Sequence, residues 1–312
     1  MRAFEFLVED EKQKSIVIRQ LQKMDAEAPL FGEIYKDLIN KPLGGRIEKF
    51  IQARGDQDAI DAVTYLLKTI PKLGPASEVK EFMQKFSNPE FDPINIKSLT
   101  TPMSSPAPLV EIVNDPFVKK LFDKLHLDFK GKGDAGPGEA ALAVLSPNIT
   151  YASPGDITVG SNKVEVKAST TSGGKSGRIW DHPVHIQPME QILDPLGITS
   201  VTVMSASKEP PENFPKEEFM EAACNAWFRE SRPEISKAFG TDGFKDIWQA
   251  AVFDKYKELS GWQGLLAVGL TSYMYIESGK DFAQNMPKAN QGTLYRKGNK
   301  QPRDMAPQIL IK

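Results

Sequence analysis

Residues 155–169 read GDITVGSNKVEVKAS, and their alternation decides the fold. Ile157 and Val159 flank Thr158, and Val164 and Val166 alternate with Glu165 and Lys167, so both halves carry the two-residue period of a β-strand. Gly160-Ser161-Asn162 between them is turn chemistry, and the whole reads as a β-hairpin. Strand geometry puts Glu165 and Lys167 on one face and Val164, Val166 and Ala168 on the other. Asp156 opens the first strand, so folding the second strand back brings Asp156 and Glu165 toward the same end.

Upstream, GKGDAGPGEAALAVL (131–145) is a glycine-rich loop feeding a short helix. Glu139 falls in its first turn, after Gly136-Pro137-Gly138, and Ala140, Ala141 and Leu142 allow it to pack closely on a sheet. Taken singly, each acid has a plain structural role. A Glu-x-Lys usually marks a solvated strand face, a Gly-Asp usually a turn, and a Glu in a first turn usually answers the helix dipole. Their joint order is rarer, with 17 positions from Glu139 to Asp156 and 9 from Asp156 to Glu165. Three acids and one lysine leave a charge of about −2. Two carboxylates about 4 Å apart repel by roughly 4 kcal/mol at an effective dielectric of 20, which Lys167 offsets only in part. A divalent cation offsets the rest, and hard oxygen donors suit Mg²⁺ or Mn²⁺.

Gly138-Glu139, Gly155-Asp156 and Glu165-Val166-Lys167 together resemble the PD-(D/E)XK nuclease superfamily, the restriction-endonuclease-like fold. The close match covers about 30 residues, and the proline usual before the aspartate is replaced by Gly155, with Pro154 one place earlier. The resemblance implies an α/β fold with a central mixed sheet flanked by helices. It implies a metal-dependent (endo)deoxyribonuclease acting on DNA, with Mg²⁺ as cofactor and Mn²⁺ as an alternative. Asp156 and Glu165 would hold the metal, with the carbonyl of Val166 as a further ligand. Lys167 would hold or polarise the attacking water and stabilise developing negative charge, and Glu139 would orient a second metal ion or a metal-bound water. The opening MRAFEFL also resembles proteins of tailed phages, which adds a virion-associated protein to the expected settings.

Outside the hairpin, the chain divides by composition. Residues 1–88 carry helical spacing in IVIRQLQKM, LFGEIYKDLI, RIEKFIQAR, DAIDAVTYLLKTI and SEVKEFMQKF, with KPLGG and PKLGP as stops. Residues 89–108 hold five prolines and read as a linker. Residues 109–312 form the expected nuclease-like domain. It opens on a helix capped by Asn-Asp-Pro and runs through the strand-like ITSVTVMSA, two helices in 216–259, and the strand-like LLAVGL, SYMYIES, TLYRKG and QILIK. The helical N-terminal region is the expected surface for DNA, a protein partner or a second subunit, and its mixed charges select none of the three.

At 312 residues, with 40% hydrophobic and 26% charged residues, the composition is that of a globular protein. The net charge of −2 carries no global signal for nucleic acid, so any DNA contact must be local. Cys224 is the sole cysteine, which excludes an intrachain disulfide, points to a reducing, cytoplasmic setting, and reads as packing in a helix. No apolar run is long enough to span a bilayer. Lys175 and Arg178 in GGKSGR could touch phosphates, or be plain loop. His182 and His185 flank Pro183-Val184 and make a poor zinc pair, and His126 reads as partly buried at a helix end. Two rival classes remain: a structural or adaptor protein that keeps the fold without catalysis, and a metal-free binding module.

Overall fold

The computed structural model describes residues 57–86, 88, 90–129, 136–151, 155–168, 174–175, 186–208, 210–290, 292–298 and 305–311. The three helices expected before residue 57 lie outside these, as do Arg178, His182 and His185. Lys175 is placed only as part of the short strand Gly174–Lys175. The chain is mixed α/β and forms two compact units, Met1–Thr101 with Pro108–Ala168, and Pro102–Ala107 with Ser169–Lys312.

In the first unit, helix α1 (Gln57–Thr69) buries Ala62, Val63, Leu66 and Leu67, and α2 (Ala76–Phe86) buries Val79, Phe82, Met83 and Phe86. Both follow three- and four-residue spacing, which puts these side chains on one stripe. Phe82 stacks on Phe86 and on Phe117 of the helix Pro116–Asp128. That last helix starts as its sequence dictates: Asp115 Oδ1 accepts from the amides of Phe117 and Val118, and Pro116 fills the first helical position.

The proline-rich stretch expected as a linker is not a bare connector. Asp92 Oδ2 accepts from Ser146 Oγ at 2.7 Å and Asn148 Nδ2 at 2.8 Å, while its Oδ1 accepts from the amide of Ile94 at 3.0 Å. Asn95 caps the short helix α3 (Ile96–Leu99), and its own amide donates to the carbonyl of Ile112 at 2.8 Å. Short polar side chains thus order a segment whose prolines cannot donate. The boundaries between units fall at 101/102, 107/108 and 168/169 instead.

With the capped helix as α4, α5 is the site helix Pro137–Leu145, whose residues Gly138 to Leu145 are all buried. It packs on an antiparallel meander of β1 (Ile149–Tyr151), β2 (Ile157–Val159) and β3 (Asn162–Ala168). Tyr151 pairs with Ile157, Ile157 with Val164, and Val159 with Asn162. Asn162 therefore already belongs to the strand, and the turn is the two residues Gly160-Ser161. Gly160 has φ +62°, the left-handed value that the first central position of such a tight hairpin favours.

The second unit holds the helices Lys216–Phe228 and Phe244–Ser260 expected from their sequence. Trp227, Phe228 and Phe244 pack on Trp248 in one aromatic cluster. Cys224 is fully buried within that core, and burial pushes its thiol up to about 11, so it packs and does not react. The strands Gly264–Val268 and Ser272–Ile276 form an antiparallel hairpin pairing Leu265 with Ile276 and Val268 with Tyr273. The strand expected over ITSVTVMSA shortens to Ser200–Thr202. Ser205 Oγ bonds both the amide and the carbonyl of Thr202 and turns the chain into the 3₁₀ segment Ser205–Ser207.

Candidate active site

All four expected acid and lysine positions lie in the first unit. Glu165 is only 6% exposed, and Val164 and Val166 beside it are buried too, so both faces of β3 are covered there. Glu165 does not line a solvated strand face. Lys167, two residues on and therefore on the same face, brings its Nζ to 2.5 Å from Glu165 Oε1 and 3.9 Å from Asp156 Oδ2.

Asp156 is fastened to β3 from both directions. Its amide donates to the carbonyl of Val164 at 3.0 Å, and its Oδ2 accepts from the amide of Val166 at 2.7 Å. The hairpin register brings this about. Ile157 pairs with Val164, so the residue before Ile157 falls opposite the Glu-x-Lys segment. The register thus brings Asp156 beside the segment carrying Glu165 and Lys167, as the alternation predicts.

Glu139 arrives from α5. Gly136, the N-cap, has no side chain to offer, so the Glu139 carboxylate turns back and accepts from the Gly136 amide. This is the return half of a capping box. A Cβ at Gly136 would stand 2.7 Å from Glu139 Oε1, so glycine there leaves room for the carboxylate. Glu139 is 8% exposed. Burial first, then the negative charge of Asp156, drives its carboxyl up to about 8, with Glu165 adding a smaller push. The Gly136 amide and the Lys167 ammonium pull the other way without prevailing. At neutral pH Glu139 therefore holds a proton, which takes one negative charge out of the cluster.

Among the described residues, no group of three or more His, Cys, Asp or Glu side chains is arranged to hold a metal ion as it stands. The bonds above give the reason: Glu139 is turned to the Gly136 amide, Asp156 to the Val166 amide and Glu165 to the Lys167 ammonium. In donor chemistry the set nevertheless fits a hard divalent cation. It offers only oxygens, in excess of the available positive charge, and burial together with the charge of Asp156 keeps the Glu139 carboxyl protonated. The residues that would hold Mg²⁺ or Mn²⁺ are Asp156, Glu165 and Glu139, with the carbonyl of Val166.

The sequence reading missed the neighbour of this site. His126, expected as partly buried, is 2% exposed in the last turn of α4, with its ring stacked on Phe122. The four-residue step from Phe122 to His126 was the available signal. No family model, no curated protein and no solved structure matches the chain.

Proposed function

We propose that the chain is a Mg²⁺-dependent nuclease of the PD-(D/E)XK type with a restriction-endonuclease-like fold, hydrolysing phosphodiester bonds of DNA. The observation that carries the reading is the burial of Glu139 and Glu165 in one electrically coupled group with Asp156 and Lys167. The order of elements supports it as well: a helix bearing the first acid, then a meander whose second strand is preceded by Asp156 and whose third bears Glu-x-Lys.

A bound divalent cation supplies the positive charge that makes a water nucleophilic near neutral pH and offsets charge on the phosphate. The chain's own residues prepare for that chemistry. The Val166 amide fixes the orientation of Asp156, so its carboxylate needs no search before substrate arrives. Lys167 is held between Glu165 and Asp156, where its ammonium can answer negative charge building on a phosphate oxygen. The buried carboxyl of Glu139 supplies a third oxygen donor once it ionises.

Purified protein incubated with linear and circular DNA and Mg²⁺ or Mn²⁺ tests the proposal. Cleavage by the wild type that disappears in Asp156→Ala and in Lys167→Ala supports it. Cleavage that survives both substitutions refutes it.

A further inference from the structure

We propose that Gly136 is a positioning residue for this site: having no side chain, it lets the Glu139 carboxyl close onto its amide and so holds that carboxyl in one place. The inference rests on the nuclease reading and deepens it by adding a residue that fixes one of the acids. Its basis is steric. A Cβ at Gly136 would stand 2.7 Å from Glu139 Oε1 and 3.5 Å from Glu139 Cδ, and the shorter of these is closer than a real Cβ tolerates.

The backbone gives no other reason for glycine here. Gly136 has φ −70° and ψ 150°, extended values open to any residue. As the N-cap of α5 it is a poor choice on ordinary grounds, since Ser, Asp or Asn would accept from the first helical amides and Gly136 makes no such bond. In a common capping box the N-cap is Ser or Thr, and the acid three residues on reaches the N-cap amide around that residue's Cβ. The Glu139 carboxyl sits closer in than that Cβ would allow. As with Asp156 on the Val166 amide, an oxygen taken by the anchor leaves the second for a cation.

Burial gives the contact its consequence. The same 2.7 Å approach occurs at Gly74, where a Cβ would meet Glu78 Oε2. Glu78 is exposed, so its carboxylate can swing into water. Glu139 is 8% exposed, and the charges it faces are those of Asp156, Lys167 and Glu165. A carboxyl pushed off the Gly136 amide is therefore displaced among the groups that would hold the cation. Hydrogen bonds that orient a metal ligand in this way are worth about 10- to 100-fold in metal affinity.

Gly136→Ser supplies the Cβ together with the hydroxyl that helix starts prefer, so its expected effect is opposite to the ordinary rule. In EDTA it should lower the melting temperature by roughly 2–5 °C, the loss of about one buried hydrogen bond. In a Glu139→Ala background, with no carboxyl to displace, the same substitution should leave the melt unchanged or raise it by about 1 °C. Mn²⁺ affinity, read by titration calorimetry, should fall about 10-fold or more in Gly136→Ser. Gly74→Ser, which crowds the exposed Glu78, should keep the wild-type Mn²⁺ affinity.

Wild-type or tighter Mn²⁺ binding in a folded Gly136→Ser overturns the positioning role and leaves the nuclease reading intact. So does a melt that does not fall, or that falls equally in both backgrounds, since the cost would then lie in the helix start and not in the carboxyl. If Gly136→Ser does not fold, the double variant decides: folding regained on removal of the carboxyl supports the role, and failure there overturns it. A wild type that neither binds Mn²⁺ nor cleaves DNA overturns the nuclease reading and this role with it.

Discussion

Replacing Glu139 by glutamine tests the electrostatics of the site without reference to any substrate. In Glu139→Gln the side-chain amide keeps an oxygen for the Gly136 amide but never ionises. The rise of the Glu139 carboxyl from 4.5 to about 8 corresponds to a ceiling of about 5 kcal/mol for ionising it in place. Relaxation and water entry around the opened carboxylate bring the realised cost to on the order of 3 kcal/mol. The folded protein keeps this proton to higher pH than the unfolded chain does. It therefore binds more protons between 4.5 and about 8, and stability falls as pH rises through that window. The contribution is fully present below 4.5 and gone above about 8. Thermal melting in EDTA from about pH 4.5 to about pH 9 should show wild type and Glu139→Gln together at the acid end. At the alkaline end the variant should melt roughly 6–12 °C higher, given about 2–4 °C per kcal/mol for a chain of this class. The same variant should lose cleavage. Parallel melting profiles would refute the claim that Glu139 is buried beside other acids.

Two further perturbations test how each unit is held. Asp92→Ala removes the acceptor for Ser146 Oγ, Asn148 Nδ2 and the Ile94 amide, and should cost about 2–3 kcal/mol in urea unfolding; a loss under about 0.5 kcal/mol would show that these bonds do not anchor the segment. Gly264→Ala sets a Cβ 2.3 Å from the Tyr275 ring, which cannot retreat from its buried place in the hairpin. It should destabilise by about 3 kcal/mol, read as a fall in melting temperature. An unchanged melt would refute the close approach.

The sequence carried the hairpin and the order of the acids because both depend on local rules. Alternation fixed which residues share a face, and Gly160 fixed the turn, so Asp156 could be placed opposite Glu165 from the pattern alone. The Asp115-Pro116 helix start was legible for the same reason. Burial was less legible. Glu165 reads as solvent-facing until both faces of β3 are known to be covered, which is a property of packing between elements. His126 is the same case: its near-complete burial comes from packing that its own helix does not reveal. The role of Asp92 escaped notice because its partners lie 54 and 56 positions away, and a proline count says nothing of such bonds.

For the nuclease proposed above, the placement of Lys167 is what favours hydrolysis over a merely structural cation. Burying Glu139 and Glu165 at 8% and 6% exposure works against folding, since an apolar side chain at position 139 would add about 2 kcal/mol of burial and carry no ionisation cost. Costs of that kind gather where a protein does chemistry. A cation that only braced the fold would account for the acids, but it would gain nothing from an ammonium lodged among them. Lys167 would compete with it for Glu165 and repel it from Asp156. A phosphodiester site has a use for both positive groups, because negative charge grows on the phosphate during attack and must be met from more than one side. On the nuclease reading proposed above, the ammonium held by Asp156 and Glu165 has a use that a bracing cation would not give it.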